Sequence, residues 1–315
     1  MSDRNISYAQ NGEDIVLWRA LHSIDNGIYL DVGANDPTVM SVTRKFYDAG
    51  WHGIAIEPNP EYAQQFRAER PRDIVIEAVA SDLDAPSVEF HLIEGSGLST
   101  LIDDISSEHA EAGWTVRDIT VPVISLTKAI EDAGLAERDL HFLSIDTEGA
   151  EAQVLASLDF TRYRPWILIV EATAPLSTRQ VHGAWQSVVE KAGYTFQMFD
   201  GLSRFYVANE RLEQLGDSVS YSAGVLDEYV EIGHVELERE FDRTRSELEV
   251  QALRALELSG LYDDQVETNR ALIAQLSAAS ADAAQLGKLV SDLQQTLSWR
   301  ITKPLRGVKK LARRS

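Results

Sequence analysis

Cysteine is absent from the 315-residue sequence, and histidine and methionine are few. Without cysteine the chain has no disulfide, thiolate metal site or cysteine nucleophile, as is usual in a reducing compartment. No run approaches the roughly 20 apolar residues that cross a bilayer. The first residues, MSDRNISYAQNGEDIVL, also lack the basic and apolar segments of a signal peptide. These absences predict a cytoplasmic protein.

Positive charge is also scarce. The sequence has 29 lysine and arginine residues against 50 aspartate and glutamate residues, for a formal net charge of -21. Because nucleic-acid binding requires a basic face that neutralises phosphates, this balance argues against nucleic acid as a partner. The exception is segment 300–315, which contains seven basic residues and no acidic one. Such a segment predicts a separate partner for the C-terminus.

Between about residues 27 and 208, short apolar runs alternate with amphipathic stretches. Five runs have the composition of buried strands: GIYLDVGA, WHGIAIEP, RDIVIEAVAS, LHFLSIDTEG and RPWILIVEAT. Helices are expected between most of them, at Val42–Ala49, Pro60–Arg70 and Leu126–Ala133. Strands that alternate with helices predict an α/β fold with a mostly parallel sheet and helices on both faces.

The end of this region has a different pattern. After a helix expected over Val181–Ala192, the segments YTFQMF and RFYVA flank a polar turn that contains Gly201. This pattern predicts an antiparallel hairpin. A hairpin at the end of a mostly parallel, Rossmann-like sheet is the class I methyltransferase form of the architecture and differs from the dinucleotide-binding form.

From about Glu231 the sequence has no proline until Pro304, and apolar residues recur in alternating steps of four and three. This spacing predicts a coiled coil and a homo-oligomer. The positions of this heptad seam are Leu237, Phe241, Thr244, Leu248, Gln251, Ala255, Leu258, Tyr262, Gln265, Asn269, Leu272, Leu276, Ala279, Ala283, Leu286, Val290, Leu293 and Leu297. The register is regular from Leu272 onward, and Asn269 is a polar residue of the kind that fixes register. The alternative is one long amphipathic helix that folds back on its own domain.

The segment YLDVGANDPTVMSVT, Tyr29–Thr43, combines an apolar strand with an acid, a glycine and a following helix. An α/β sheet accepts nucleotide-like ligands at such a turn, where Gly33 would allow close approach of the ligand. The next strand ends in Glu57, 26 residues after Asp31. A carboxylate at this position can accept hydrogen bonds from both hydroxyls of a ribose.

Two ligands compete for this turn. A nicotinamide or flavin cofactor would require G-x-G-x-x-G to hold its pyrophosphate, whereas this loop has only Gly33 and places Asp31 and Asp36 beside the ligand. Carboxylates repel a pyrophosphate and suit a ligand with an amine and a sulfonium. The loop therefore favours S-adenosylmethionine over NAD, and an ordinary turn without a ligand is the remaining alternative.

Several motifs together resemble the FkbM methyltransferase family, in particular its members among bacterial sugar and polysaccharide genes. They are DVGAND followed by SVT, FYDAGWHGIAIEPNP, RPRDIVIEAVASD, GLSTL, LSIDTEGAEAQVL and FDGLSRFYVA. The resemblance covers roughly residues 6 to 208. Pro37 departs from it, because many members have glycine after DVGAND. The resemblance implies methyl transfer from S-adenosylmethionine to a hydroxyl, typically on a sugar or a polyketide.

Position by position, the resemblance implies a set of donor-binding residues. The loop after the first strand would hold the methionine part, Glu57 the ribose, and the end of the third strand the adenine. An N-terminal segment, SYAQNGEDIV, would pack over the site. The implied residues are Gln10, Asp31, Gly33, Ala34, Asn35, Glu57, Pro58, Ala80, Ser81 and Asp146.

Methyl transfer to a sugar hydroxyl also requires removal of a proton from a weak acid. Asp146 and Glu148 follow one apolar strand and Glu171 ends the next, where a carboxylate is costly to bury unless it is used. These three are the predicted catalytic residues. Asp146 and Glu171 could instead hold Mg²⁺, which would acidify the alcohol. Glu151, on the following helix, is expected on an exposed face.

The sequence thus predicts four segments: an N-terminal helical cap (1–26), a methyltransferase domain (27–230), a coiled coil (231–298) and a basic amphipathic tail (299–315). The tail has the composition of a segment that contacts the inner face of a membrane or a protein assembly. The expected function is O-methylation of a glycan or polysaccharide precursor. The alternative is a non-catalytic scaffold that binds the cofactor and organises a biosynthetic complex through its coiled coil.

Overall fold

The computed structural model describes residues 4–93, 99–102, 105–106 and 113–295. Along the chain its strands are β1 (Asn5–Ser7), β2 (Ile28–Val32), β3 (His52–Ile56), β4 (Ile74–Ile76), β5 (Val79–Ala80), β6 (Ser87–Ile93), β7 (Val116–Ile124), β8 (Phe142–Ile145), β9 (Ile167–Glu171), β10 (Tyr194–Phe199), β11 (Ser203–Ala208) and β12 (Tyr229–Glu231). Its α-helices are α1 (Glu13–Leu21), α2 (Arg44–Asp48), α3 (Pro60–Glu69), α4 (Leu126–Asp132), α5 (Glu151–Ala156), α6 (Gln186–Lys191), α7 (Leu212–Leu215) and α8 (Ile232–Gln295).

Seven strands form the central sheet, in the order β10–β11–β9–β8–β2–β3–β4. The five strands from β9 to β4 are parallel. Strand β11 is antiparallel to both of its neighbours, which makes β10 and β11 the predicted hairpin. The predicted fold class is therefore confirmed. Strands β2, β8 and β9 are buried along their whole length, and this is why their sequences are predominantly apolar on both faces.

The hydrophobic core has one layer on each face of this sheet. On one face, Leu30 packs in a cluster with side chains from α4, α5 and α6. On the other face, Tyr29 packs with side chains from α1 and α2 and with Trp51. Because successive residues of a strand point to opposite faces, a single strand supplies both layers. The central sheet is thus held rigidly from both sides, and the edge at which its parallel strands end has a fixed geometry.

A second, three-stranded sheet in the order β5–β7–β6 was not predicted from the sequence. Strands β6 and β7 pair along their length as an antiparallel hairpin, and β7 also pairs with β5 in parallel. A small cluster that contains Val79, Phe90 and Val121 packs on this sheet. Because β5 follows directly after β4, the second sheet lies beside the carboxyl end of the central one.

The N-terminal segment belongs to the same compact unit as the central sheet, and this unit extends from the N-terminus to Glu236. Strand β1 pairs in parallel with β12, so that Ile6 lies opposite Val230. Arg19 in α1 forms a bidentate ion pair with Asp227, with both N–O distances 2.9 Å. The predicted boundaries at residues 26 and 230 therefore do not coincide with the edges of this unit.

A second unit begins at Leu237 and contains most of α8, which has 64 residues. The seam positions of this helix that carry large apolar side chains are exposed. Among the helices of the described residues, none is both long and apolar enough to cross a membrane. The basic tail predicted for 299–315 lies outside the described residues.

Candidate active site

Four parallel strands, β2, β3, β8 and β9, end at one edge of the central sheet, where the residues that follow or end them line a cleft. The predicted residues that line it are Gln10, Asp31, Gly33, Ala34, Asn35, Glu57, Pro58, Ala80, Asp146, Glu148 and Glu171. Ser81 does not line the cleft. Its hydroxyl accepts a hydrogen bond from the Leu83 N–H, and its own N–H donates to the Ile124 carbonyl. The structure thus brings the predicted residues together with that one exception.

One end of the cleft is mostly apolar. Ala78, Val79 and Ala80 line one wall, and Phe90 from the unpredicted second sheet lines it with them. Tyr62 from α3 also lines this end. Flat apolar walls with few polar groups suit the face of a purine. The alternating pattern SVEFHLI around Phe90 was the available sequence signal for this wall.

Glu57 is the main polar group at this apolar end, and it is buried. Its two carboxylate oxygens accept hydrogen bonds from the backbone N–H groups of Asn35 and Asn59, each at 2.7 Å. Burial raises the pKa of Glu57 to about 7, although the two N–H donors oppose the shift. Because each carboxylate oxygen can accept more than one bond, Glu57 can also receive two neighbouring ribose hydroxyls.

Gly33 lies where the two ends of the cleft meet, in a left-handed backbone conformation with φ of 76°. A Cβ atom at this position would lie 1.7 Å from the backbone carbonyl oxygen of Asp146. The sequence prediction attributed this glycine to close approach of a ligand. The structure gives a second reason, because the turn after β2 touches the backbone at the end of β8.

Two buried acceptor atoms near this junction have no hydrogen-bond partner within the described part of the chain: Asn35 Oδ1 and Glu148 Oε2. Unpaired buried acceptors are costly unless a ligand supplies donors. Both residues line the cleft beside Asp146. This donor-poor, acidic environment suits a ligand with a cationic amine and a sulfonium, as the charge of the loop predicted.

The fully buried Arg70 stabilises the turn after β2 through hydrogen bonds. Its guanidinium donates to the Pro37 carbonyl, to Ser41 Oγ at 2.7 Å and to Thr43 Oγ1 at 2.8 Å. Thr43 Oγ1 in turn donates to Asp31 Oδ2 at 2.6 Å. Burial raises the pKa of Asp31 to about 6, against the effects of the Thr43 hydroxyl and the Arg70 charge. The chain of bonds therefore fixes both the loop and the orientation of the Asp31 carboxylate.

Three carboxyl groups meet at the other end of the cleft: Asp146, Glu148 and Glu171, with one oxygen of each within 4.8 Å of the others. Asp146 is open to the cleft, whereas Glu171 is buried. Burial, followed by repulsion from neighbouring carboxylates, raises the pKa of Glu148 and Glu171 well above the usual range. Although Asp146 is open to the cleft, desolvation by the surrounding protein raises its pKa to about 6, and a hydrogen bond from Glu171 opposes this shift. At neutral pH the negative charge of the group therefore resides on Asp146, and Glu171 holds a proton.

The loop that carries Glu148 is tightly fixed. Glu151 Oε1 accepts hydrogen bonds from the Thr147 N–H at 3.3 Å and the Gly149 N–H at 2.9 Å. Thr100, from the GLSTL motif, donates to the Glu148 carbonyl at 2.8 Å. The prediction that Glu151 is on an exposed face is wrong, because its side chain turns back into the loop and is buried. The first two residues of the same motif, Gly97 and Leu98, lie outside the described residues.

Of the N-terminal segment, only Gln10 lines the cleft among the residues described there. A parallel bridge between Ala9 and Met40 places it beside the loop after β2. Asp14 instead accepts hydrogen bonds from Ser7 Oγ at 2.6 Å and the Tyr8 N–H at 2.7 Å. This segment therefore closes one side of the cleft, and most of its polar residues serve its own fold.

Two apolar side chains at the mouth of the carboxyl end were not predicted. Met40 is 59% exposed and Leu176 is 77% exposed, and both line this end of the cleft. Both have left-handed backbone conformations, with φ of 57° and 50°. Exposed large residues in this strained region are uncommon and recur at functional sites. No local sequence pattern marks such positions.

The strand order, with an antiparallel hairpin at one end of a mostly parallel sheet, is that of the class I methyltransferase architecture. The family model described as methyltransferase FkbM domain matches residues 31–196, more than half of the chain. The protein therefore belongs to the FkbM methyltransferase family, which implies S-adenosylmethionine as the methyl donor. No curated protein matches the sequence.

Two solved structures are similar to this chain. A TehB-like S-adenosylmethionine-dependent methyltransferase from Corynebacterium glutamicum has 11% sequence identity and a TM-score of 0.35, covering 63% of this chain and 88% of its own. Methyltransferase FkbM from Methylobacillus flagellatus has the same identity and TM-score. That match covers 58% of this chain and 43% of the Methylobacillus chain.

Proposed function

We propose that the protein is an O-methyltransferase that acts on a sugar hydroxyl of a glycan or polysaccharide precursor of the bacterial type. The observation that supports this proposal is the carboxyl group Asp146, Glu148 and Glu171 directly beside the predicted donor loop. When bound, S-adenosylmethionine supplies a methyl group on a sulfonium sulfur and leaves as S-adenosylhomocysteine. The chain must then orient the acceptor hydroxyl and remove its proton.

Asp146 is the proposed base. It is the most acidic of the three carboxyl groups and is open to the cleft, so at neutral pH it is ionised and accessible. Glu171 donates a hydrogen bond to it and orients its carboxylate. The oxygen of the acceptor forms the new bond to the methyl carbon, and its proton passes to Asp146. Glu148, with an unpaired buried oxygen, accepts a hydrogen bond from a second hydroxyl of the acceptor.

A divalent cation is the alternative means of activating the hydroxyl. Three carboxylates within 4.8 Å of one another offer the oxygen ligands that Mg²⁺ prefers. Asp146 and Glu171 would hold it, and it would lower the pKa of the acceptor alcohol. A chelator separates the two cases. Activity that EDTA abolishes and Mg²⁺ restores supports the cation, whereas activity unaffected by EDTA supports Asp146 as a direct base.

The residues that line the end of the cleft with the three carboxyl groups also restrict which acceptors can bind there. Among the described residues that line it there is no lysine, arginine or histidine. An acceptor with phosphate or carboxylate next to the reacting hydroxyl would therefore find no cationic side chain there and would be repelled by the ionised Asp146. The lining instead combines hydroxyl and carboxyl groups with apolar side chains, as sugar-binding sites do.

The proposal is tested by measuring S-adenosylhomocysteine formation with a panel of neutral glycans and glycolipids. Asp146→Asn is expected to slow product formation by about 10²- to 10⁴-fold while S-adenosylhomocysteine binding, measured by calorimetry, is retained. Asp84→Asn changes an exposed aspartate outside the cleft and serves as the matched control. Retained binding without turnover by the unaltered protein on any acceptor would support the scaffold alternative. Binding of NAD without S-adenosylmethionine would contradict the proposal.

We also propose that the protein acts in the cytoplasm, with its basic tail 299–315 on the inner face of a membrane. Seven cations interleaved with apolar residues support this, since each charge near an anionic surface contributes about 1 kcal/mol. Co-sedimentation with anionic vesicles tests it. We expect binding by the full chain and none after removal of residues 300–315. Equal binding of both proteins would contradict the proposal.

A further inference from the structure

The long helix α8 exposes a row of apolar side chains, which polar residues interrupt before Leu272. Phe241, Leu248, Leu258, Tyr262, Leu272, Leu276, Leu286, Val290 and Leu293 are all at least half exposed and all occupy seam positions. At 1.5 Å per residue, a helix of 64 residues is about 96 Å long. Apolar side chains at this spacing are buried in stable proteins by another helix.

We infer that the partner of this face is a second copy of the same chain, aligned in parallel and in register, as a two-stranded coiled coil. The first support for this inference is Asn269. In the heptad it occupies the a position, between the Tyr262 and Leu276 layers. A polar asparagine at a single a position favours two strands in register, because only then do the two amides meet each other.

The contacts of Asn269 within its own chain are compatible with this role. Its Oδ1 accepts a hydrogen bond at 3.2 Å from the amide of Gln265, the preceding seam residue. An asparagine amide has two N–H donors of its own. In a parallel, in-register pair these donors face the same residue of the second copy, so that the buried amides satisfy each other.

Charge at the flanks of the seam gives the second, independent support. Glu240 occupies a g position and Arg245 an e position five residues later. In a parallel dimer the g residue of one helix faces the following e residue of the other, so Glu240 of each copy meets Arg245 of its partner. In the chain itself Arg245 contacts only the exposed Glu249 among the ion pairs described, at 3.2 Å.

An antiparallel pair centred on the same seam would not provide this complementarity. In an antiparallel pair g positions face g positions and e positions face e positions, so Glu240 would lie near Leu289 or Thr296 and Arg245 near Gly287 or Gln294, none of which carries a charge. Ala279 and Ala283 form two small layers that permit close approach of the helices in either direction. Direction is therefore specified by the Glu240–Arg245 pair, which favours the parallel arrangement, whereas Asn269 favours two strands.

The absence of cysteine makes this inference directly testable. Leu272→Cys and Leu293→Cys place one thiol each at two d positions, where parallel in-register helices bring identical residues into contact. Leu256→Cys is the matched control, since Leu256 is 69% exposed but lies off the seam. Each variant of the full chain is oxidised mildly and analysed on a non-reducing gel, and its mass before oxidation is measured by light scattering.

We expect twice the 35.0 kDa chain mass before oxidation, with efficient cross-linking of both seam variants and little of the control. A monomeric mass would overturn the inference, as would a mass of three or four chains. A mixture of Tyr262→Cys and Leu272→Cys proteins reports on direction. If that mixture forms a heterodimeric cross-link while Leu272→Cys alone forms none, the helices are antiparallel and the inference is wrong.

Discussion

At the scale of single residues, Arg70 connects the core to the donor loop without touching the cleft. Its guanidinium binds three groups of the loop and lies 3.6 Å from Asp73. Asp73 in turn accepts hydrogen bonds from the Tyr29 hydroxyl and the Gly53 N–H. A buried hydrogen-bond network of this kind rigidifies the groups that it connects. We therefore propose Arg70 as a positioning residue for the loop that the resemblance assigns to the methionine part of the donor.

Replacement of Arg70 should therefore weaken binding of the amino-acid part of the donor and leave binding of its nucleoside part nearly unchanged. We expect Arg70→Met to bind S-adenosylhomocysteine at least tenfold more weakly while its affinity for 5'-methylthioadenosine, which lacks the amino-acid part, changes less than twofold. Arg70→Lys keeps the charge but loses the planar fork and should be intermediate. Calorimetric titration with both ligands measures this. Equal loss of both ligands would show general unfolding of the site.

Glu13 gives a prediction about stability and pH. Its side chain is buried, and burial, followed by repulsion from Asp200, raises its pKa to about 8. The folded state therefore keeps a proton that the unfolded chain releases near pH 4.5, so the free energy of unfolding falls as the pH rises from about 5 to about 8. At about 1.4 kcal/mol for each pH unit, the loss is on the order of 4 kcal/mol.

Glu13→Gln removes this titration while an amide oxygen can still accept the Asn11 N–H, which lies 2.8 Å from Glu13 Oε2. We expect the variant to match the unaltered protein at pH 5 and to be more stable at pH 9. Urea unfolding at both pH values measures the difference. A stability difference independent of pH would contradict the assigned cause.

Asp146 yields the corresponding prediction for catalysis. Because it must be ionised to accept a proton and its pKa is raised to about 6, turnover should fall as the pH drops below about 6. Removal of a general base typically lowers the rate by about 10²- to 10⁴-fold. We therefore expect Asp146→Asn to reduce kcat by that factor at neutral pH, and we expect the residual activity of the variant not to fall as the pH drops below about 6. A residual rate that keeps the same pH profile would assign the base to another group.

At the scale of elements, the heptad seam of α8 allows a prediction about assembly. Asn269→Leu removes the polar layer and should make the seam more stable but less specific, so that trimers and tetramers appear beside dimers. Analytical ultracentrifugation measures the distribution. Leu253→Asn, at an exposed position off the seam, is the control and should leave the distribution unchanged. A variant with Leu at 269 that remains purely dimeric would show that other contacts specify the number of strands.

Some of the strands and helices could be predicted from the sequence, and others could not. The strands β2, β8 and β9 were predictable because burial on both faces makes their sequences predominantly apolar. The β6–β7 hairpin was missed because its strands are partly exposed and mix polar with apolar residues. Helix α2 begins at Arg44, two residues later than predicted, because Thr43 is committed to Asp31 and Arg70.

In the candidate site, too, some residues were predictable from the sequence and others were not. Asp31, Glu57, Asp146 and Glu171 were predictable because each ends or follows an apolar strand, and parallel strands end at one edge. The partnership of Arg70 with Thr43, 27 residues earlier, depends on tertiary packing that no local pattern encodes. The same holds for Met40 and Leu176, whose exposure and backbone conformation depend on the loops around them.

At the scale of the whole molecule, the catalytic unit should fold without the long helix. The compact unit ends at Glu236, and β12 within it pairs with β1 at the N-terminus. We expect residues 1–236 to fold and to bind S-adenosylhomocysteine as tightly as the full chain. Truncation at residue 227 removes β12 and should lower the melting temperature. Calorimetry on both fragments tests this, and equal melting temperatures would show that the β1–β12 pair does not contribute.

The backbone contact between Gly33 and Asp146 has one further consequence, for how this enzyme can change over evolution. Because the donor turn and the base-bearing turn touch through backbone atoms, the separation between methyl donor and base is fixed independently of side-chain choice. Substitutions at Met40 or Leu176 can then change which acceptor binds without changing the distance between the donor and the proposed base Asp146. A library selected for altered acceptor range should accumulate substitutions in those rim loops and leave Gly33 unchanged.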